Sequence, residues 1–261
     1  MPNRLLLMFF KVVFLSVLEG VTEFLPVSST GHLLLVSPLL GLNPAFYEVF
    51  DIVIQLGAIL AVVSLYPRYF FNMIRSPIQK DTGIMAMAIL PILVIGFLFK
   101  DVIKGVLFNP LVIFGGLIVG GLGLILVDQL VKDVPAKANI TFKQGIWIGL
   151  WQCLALIPGM SRSAMTMMGG VVAGCDRVSS ARFSFVIAVP LMVIISGYEL
   201  WSVHRLFTPE MYAWVLLGCG VSYVVARLTM QWFLGIIQKN GLTLFGVYRI
   251  VLGCVGLWVL I

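Results

Sequence analysis

The chain has 261 residues, 61% hydrophobic and only 11% charged, with a formal net charge of +6. A water-soluble domain carries about 25% charged residues to cover its surface, so a soluble globular protein is excluded and lipid must solvate much of the exterior. In such a chain the positive balance belongs to loops facing anionic lipid, and nucleic acid is not an expected partner.

In chain order, the first apolar stretch, 5–40, runs into EGVTEFLPVSSTGH (19–32) with no small-residue cleavage site, so no cleavable signal peptide is expected. Pro26 interrupts this stretch, and proline breaks the helical hydrogen-bond ladder. Backbone freed at membrane depth is tolerated only against protein or a water-filled cavity. A re-entrant helix pair is therefore expected, followed by crossings at 46–66, 84–99 and 110–127. A second broken stretch, 144–174, is interrupted by Pro158 and reads the same way, with crossings at 183–201, 212–233 and 243–261 after it. The four cysteines, Cys153, Cys175, Cys219 and Cys254, form no metal-binding spacing and read as small apolar residues. The expected fold class is an all-α polytopic membrane protein in one domain, 1–261, with six transmembrane helices and two re-entrant helix pairs.

If 46–66 runs from outside to inside, the inner loops hold Arg68, Arg75, Lys80, Lys132, Lys137, Lys143, Arg177, Arg182 and Lys239. The outer segments hold Arg4, Lys11, Lys100, Lys104 and Arg205, so the bias favours this orientation with both termini outside. A faint repeat pairs Pro26 with Pro158 and FDIVIQLGAIL from Phe50 with FSFVIAVPLMV from Phe183. Its halves are about 1–130 and 140–261. One re-entrant pair plus three crossings in each half would make this an inverted-topology repeat, a known way to build a polar site inside a bilayer.

Polar chemistry concentrates at the two breaks. Glu19 and Glu23 stand four apart on one helical face, and an acidic residue at a helix centre costs about +2.5 to +3.5 kcal/mol on insertion scales. Such a pair is explained by a cation between the carboxylates, by a proton kept for acid–base work, or by hydrogen bonds to backbone freed around Pro26. After Pro26, Ser28, Ser29 or Thr30 can cap a helix beginning near Gly31–His32, which accounts for one hydroxyl of the three. His32 follows Ser29 by three residues, so a helical turn could bring imidazole and hydroxyl together. In PGMSRSAMTMMGG (158–170), Arg162 lies between Ser161 and Ser163 with Thr166 a turn later. Its planar fork suits phosphate or carboxylate oxygens, and the helix start after Pro158 favours an anion. Arg162 could equally pair with Glu19 or Glu23, and be released or bridged when substrate arrives. Arg249, Asp51, Gln55 and Arg227 read as structural. Carboxylates, hydroxyls and imidazole in one half, with an arginine in the other, suit a phosphate ester or anhydride carried on a lipid, with a divalent cation on the glutamates.

EGVTEFLPVSSTGH and QCLALIPGMSRSAMT closely resemble the two signatures of the undecaprenyl-pyrophosphate phosphatase family associated with bacitracin resistance. The resemblance extends through FDIVIQLGAILAVV, KGVLFNP, RFSFVIAVP and YRIVLG, nearly the whole chain in order; Ala164 departs from the family's usual glycine. It implies hydrolysis of undecaprenyl pyrophosphate to undecaprenyl phosphate and inorganic phosphate, recycling the lipid carrier for peptidoglycan synthesis. It also implies dependence on Mg²⁺ or Ca²⁺ and a bacterial inner-membrane enzyme whose site opens to the outer, periplasmic face. On this basis Glu19 and Glu23 hold the metal, while Arg162 with Ser161, Ser163 and Thr166 clamps the terminal phosphate. Ser29 is the nucleophile with His32 as base, or His32 attacks or activates water; Ser28 and Thr30 assist binding. The expected partners are the polyisoprenoid pyrophosphate substrate and membrane lipids, with a homodimer as one possible assembly. A transporter or flippase of a phosphorylated lipid would use the same inverted-repeat site, and phosphate release separates the two. An intramembrane serine protease has no need of the glutamates and the arginine.

Overall fold

The computed structural model describes residues 2–76, 79–130 and 140–260. All the regular structure among them is helical. α1 (Pro2–Thr22) leads through a turn at 23–28 into α2 (Ser29–Leu40), which ends on Gly41 in the left-handed conformation. α3 (Pro44–Leu65) starts where the Asn43 side chain accepts hydrogen bonds from the Ala45 and Phe46 amides. Next come α4 (Pro67–Arg75), α5 (Lys80–Leu98), and α6 (Lys100–Val102), which continues as a π turn over Ile103–Leu107. α7 (Pro110–Leu130) closes the first half. α8 (Phe142–Gln152) opens with a capping box between Thr141 and Gln144, then passes through a 3₁₀ turn, Cys153–Leu156, to α9 (Arg162–Val172). α10 (Arg177–Val203) begins at the Asp176 cap, and α11 (Pro209–Asn240) and α12 (Thr243–Leu260) complete the fold.

Both proline-broken stretches thus form helix, turn and helix. By length and composition six helices among the described residues can cross a membrane, namely α1, α3, α5, α7, α10 and α11. This set holds α1, expected as half of a re-entrant pair, in place of the crossing expected at 243–261. α12 is a shorter apolar helix, and residue 261 lies outside the described residues. Lys132 and Lys137 of the inner-loop tally also lie outside them.

Helix pairs close where small residues let backbones approach, the usual packing device when lipid removes the hydrophobic drive. α3 meets α11 at Gly57, where an added Cβ would strike the Cys219 backbone, and α7 meets α12 at Gly121 and Gly246, each facing the other's carbonyl. α1 also lies along α11, α5 along α8, and α10 along α3 and α9. Large apolar side chains such as Leu39, Phe97, Trp201, Leu216 and Trp258 point outward, as a lipid-facing surface requires.

One polar clasp joins three helices. Asp128 near the end of α7 accepts from Arg177 Nε at 2.5 Å and from the Thr243 amide and hydroxyl at 3.0 and 2.7 Å. Removing one partner of a buried ion pair strands the other. Asp128→Ala should therefore cost about 3 kcal/mol, read as a lower thermal midpoint in detergent. Gly116, which abuts the Pro158 carbonyl of the second break, lies twelve residues before Asp128, about 18 Å along the helix, so activity should persist in the folded fraction.

Candidate active site

Two turns make the site, and they share an unusual backbone. Ser28 and Ser161 both have φ 68°, the only non-glycine residues at positive φ among the described residues. Such conformations cost on the order of 1–3 kcal/mol each and persist only where the surroundings hold them. Each serine ends its turn, and α2 or α9 starts at the next residue. The turns meet directly: Ser163 donates from its hydroxyl to the Leu25 carbonyl at 2.7 Å. Ser161 caps α9 by accepting from the Ala164 amide at 3.3 Å. α2 begins at Ser29, earlier than expected, and the Ser28 side chain makes no capping bond. Ser28 instead lines a cavity.

That cavity has a volume of about 250 Å³. Glu23, Ser28, Ser29 and Thr30 line it from the first turn, and Pro158, Gly159, Ser161 and Arg162 from the second. Gln55 of α3 and Met192 of α10 add to the wall, with Ile103, Phe108 and Leu156 on its apolar side. A larger cavity of about 360 Å³, walled by Tyr66, Tyr69, Asp81 and Arg182, contains no residue of either motif.

At the cavity wall the two halves are joined by charge. Arg162 Nη2 lies 3.3 Å from Glu23 Oε1, and Nη1 donates to the Ser184 carbonyl at 3.1 Å. The guanidinium carbon lies 5.8 Å from the centre of the Phe24 ring, within cation–π range. Glu23 Oε2 accepts from the Ser29 hydroxyl at 2.9 Å. The arginine thus pairs with Glu23 of the two glutamates. Glu19, one turn earlier on α1, is fully buried, and neither of its oxygens has a hydrogen-bond partner.

Four expected site residues do not line the cavity. Glu19 is one of them, fully buried on α1. Ser163 and Thr166 are buried anchors, Ser163 on Leu25 and Thr166 on the Ser184 hydroxyl at 2.6 Å. His32 is also turned away from Ser29, because both its nitrogens have other partners. Nδ1 is 2.8 Å from the Ser28 carbonyl and Nε2 is 2.6 Å from the Tyr248 hydroxyl, with the two rings stacked. A carbonyl can only accept, so in the neutral ring Nδ1 carries the proton and Tyr248 donates to Nε2. Tyr248 and Ser184 escaped the sequence reading because a tyrosine and a serine in apolar helices carry no local signal. Gln55 did carry one, as an amide within a crossing, but read as structural.

A hard divalent cation takes oxygen ligands, and Mg²⁺ is usually held by one or two carboxylates plus substrate phosphates. The donor set fits this: Glu19 offers two unpartnered buried oxygens one turn from Glu23. No group of three or more His, Cys, Asp or Glu able to hold a metal occurs among the described residues. Further oxygen ligands would come from hydroxyl, amide or backbone carbonyl groups, from phosphate or from water.

A family model described as "Bacitracin resistance protein BacA" matches residues 12–255. The chain is 36% identical over 252 residues to an undecaprenyl-diphosphatase of Bdellovibrio bacteriovorus, covering 95% of this chain and 94% of that one. It is 38% identical over 259 residues to an undecaprenyl-diphosphatase of Clostridium tetani, with 96% of each chain covered. A Bradyrhizobium undecaprenyl-diphosphatase is 40% identical over 260 residues, with 95% of each covered.

Proposed function

We infer the reaction from a single premise: the chain belongs to the bacitracin resistance protein BacA family. It is an integral membrane undecaprenyl-diphosphatase, hydrolysing undecaprenyl pyrophosphate to undecaprenyl phosphate and inorganic phosphate and so recycling the lipid carrier for cell-wall synthesis. The observation that carries this to particular residues is the Glu23–Arg162 pair, which spans the two turns at the wall of a polar cavity.

Arg162 clamps the terminal phosphate, exchanging its contact with Glu23 for phosphate oxygens while Nη1 stays anchored on Ser184. Ser161, Ser28 and Thr30 line the same cavity and supply donors to the anion. Ser163 and Thr166 support this wall from behind, through Leu25 and Ser184. Ser29 is the nucleophile. Its oxygen bonds to the terminal phosphorus as the bond from phosphorus to the bridging oxygen breaks, and undecaprenyl phosphate departs with that oxygen. The hydroxyl proton passes to Glu23 Oε2, 2.9 Å away and already its acceptor; His32 is engaged with Ser28 and Tyr248 and acts by holding the start of α2. Water then cleaves the phosphoserine and releases inorganic phosphate. Glu19 and Glu23 would hold Mg²⁺ or Ca²⁺, which when bound supplies neutralisation of pyrophosphate charge.

The isoprenoid chain has a path. An apolar groove of about 310 Å³ between α5 and α10 shares Ile103 and Leu156 with the polar cavity. Lys100 and Lys104 stand at this groove; in the orientation favoured by charge bias they face the outer side. The protein accordingly sits in a bacterial inner membrane with its site open to the periplasmic face. The two helix–turn–helix pairs, α1–α2 and α8–α9, serve as the inverted halves of one domain, their motifs joined where Ser163 meets Leu25.

The test is phosphate release from undecaprenyl pyrophosphate by detergent-purified protein, with EDTA or with Mg²⁺ or Ca²⁺ added. Metal-dependent release, with acid-stable phosphate trapped on Ser29 after rapid quench, is expected. Phosphohistidine at position 32 would overturn the assigned nucleophile. Lipid binding without any release would overturn the enzyme.

A further inference from the structure

We propose that Arg249 of α12 is a positioning residue for this reaction, a single guanidinium that locks the two site-bearing turns in one register. This rests on the phosphatase reading above. Arg249 is fully buried, and no carboxylate pairs with it among the described residues. Its donors all go to backbone carbonyls. Nη1 donates to Pro26 at 3.2 Å, Nη2 to Gly159 at 2.9 Å and Gly116 at 3.2 Å, and Nε to Leu117 at 3.3 Å.

The first two contacts are the informative ones. Pro26 and Gly159 each precede by two residues the serine held at positive φ, Ser28 and Ser161. Arg249 therefore grips equivalent points of both turns at once and ties them to the same stretch of α7. α7 makes room for it: a Cβ on Gly120 would run into the guanidinium. A cation buried among apolar helices is tolerated only when its donors are satisfied. Elsewhere α7 and α12 pack through glycines against apolar side chains, at Gly121, Gly246, Gly253 and Gly256, and through the Asp128–Thr243 contact at one end. Packing of these helices thus does not demand an arginine; alignment of the turns does. Arg249 does not line the cavity, so it acts through the turns that carry Glu23 and Arg162. Its neighbour Tyr248 holds His32, so two consecutive α12 residues brace the site from behind.

Lysine keeps the charge but offers one nitrogen where four carbonyls converge on three, and cannot hold both turns. Arg249→Lys should keep its fold, judged by gel filtration and thermal midpoint. Its kcat for phosphate release should fall on the order of 10²-fold, the scale of an ångström of misplacement. KM should change by less than about 3-fold, since a lost alignment acts on the transition state more than on ground-state binding. Hydrogen exchange should quicken together in peptides covering 23–31 and 157–163, and stay unchanged in α3 and α11. A folded Arg249→Lys with wild-type kcat, or faster exchange in only one of the two turns, overturns the proposal. If Arg249→Lys does not fold, Gly120→Ala crowds the guanidinium while leaving arginine in place. That variant should lose kcat about 10-fold, and wild-type kcat in folded Gly120→Ala would equally overturn it. Failure of the phosphatase reading looks different, because wild-type protein would then release no phosphate at all.

Discussion

Arg162→Lys should lower kcat/KM for phosphate release by about 10²–10³-fold, the range for losing one preorganised charge-stabilising group. The loss should exceed what charge alone predicts, because the charge is kept. Arg162 uses a fork: one nitrogen is pinned to the Ser184 carbonyl at 3.1 Å, and the other is presented to Glu23 at 3.3 Å. That anchoring fixes the direction in which the second nitrogen meets an anion. A lysine ammonium has a single nitrogen on a flexible stem; once bonded to Ser184 it has no second arm for phosphate, and once on phosphate it leaves Ser184. The plane above Phe24 is lost as well. The decrease should fall mostly on kcat, measured at saturating lipid in mixed micelles. A lysine variant within about threefold of wild type would mean that Arg162 is a counter-ion for Glu23 and nothing more.

Much of this site was legible before any coordinates. An ionisable group in an apolar stretch demands an explanation, and that demand singled out Glu19, Glu23 and Arg162 and allowed for the arginine–glutamate pairing. Proline placed both breaks. What escaped were contacts between distant residues and the directions of side chains. Spacing puts Arg162 and Thr166 on one helical face, yet only Arg162 lines the cavity, because Ser184 of α10 draws Thr166 inward. His32 follows Ser29 by less than a full turn, but its partner came from α12, 216 positions along the chain. Positive φ announces itself when glycine occupies the position; at Ser28 and Ser161 a serine hides it. Arg249 drew notice as a polar residue in an apolar segment and still read as structural, since nothing local reveals that its acceptors include carbonyls of two turns from opposite halves.

Glu19→Gln and Glu23→Gln should fail in different ways, and the difference tests the metal assignment. Glu23 is bonded on both sides, to Ser29 and to Arg162. Its amide would have one oxygen in place of two and could not take the nucleophile's proton, so release should fall on the order of 10²-fold or more at every metal concentration. Glu19 touches neither group, and its buried oxygens have no hydrogen-bond partner. A lone buried carboxylate is destabilising unless a cation or proton accompanies it. In EDTA, Glu19→Gln should therefore melt no lower than wild type. Wild type alone should then gain thermal stability on adding Mg²⁺, by about 2.7 kcal/mol at a hundredfold excess over Kd. Activity of Glu19→Gln should need much more Mg²⁺ for half-maximal release and recover in part when it is supplied. An unchanged metal requirement, together with an undiminished Mg²⁺-dependent rise in melting temperature, would remove Glu19 from the metal site. Of the two glutamates, Glu23 alone would then be left to hold the cation.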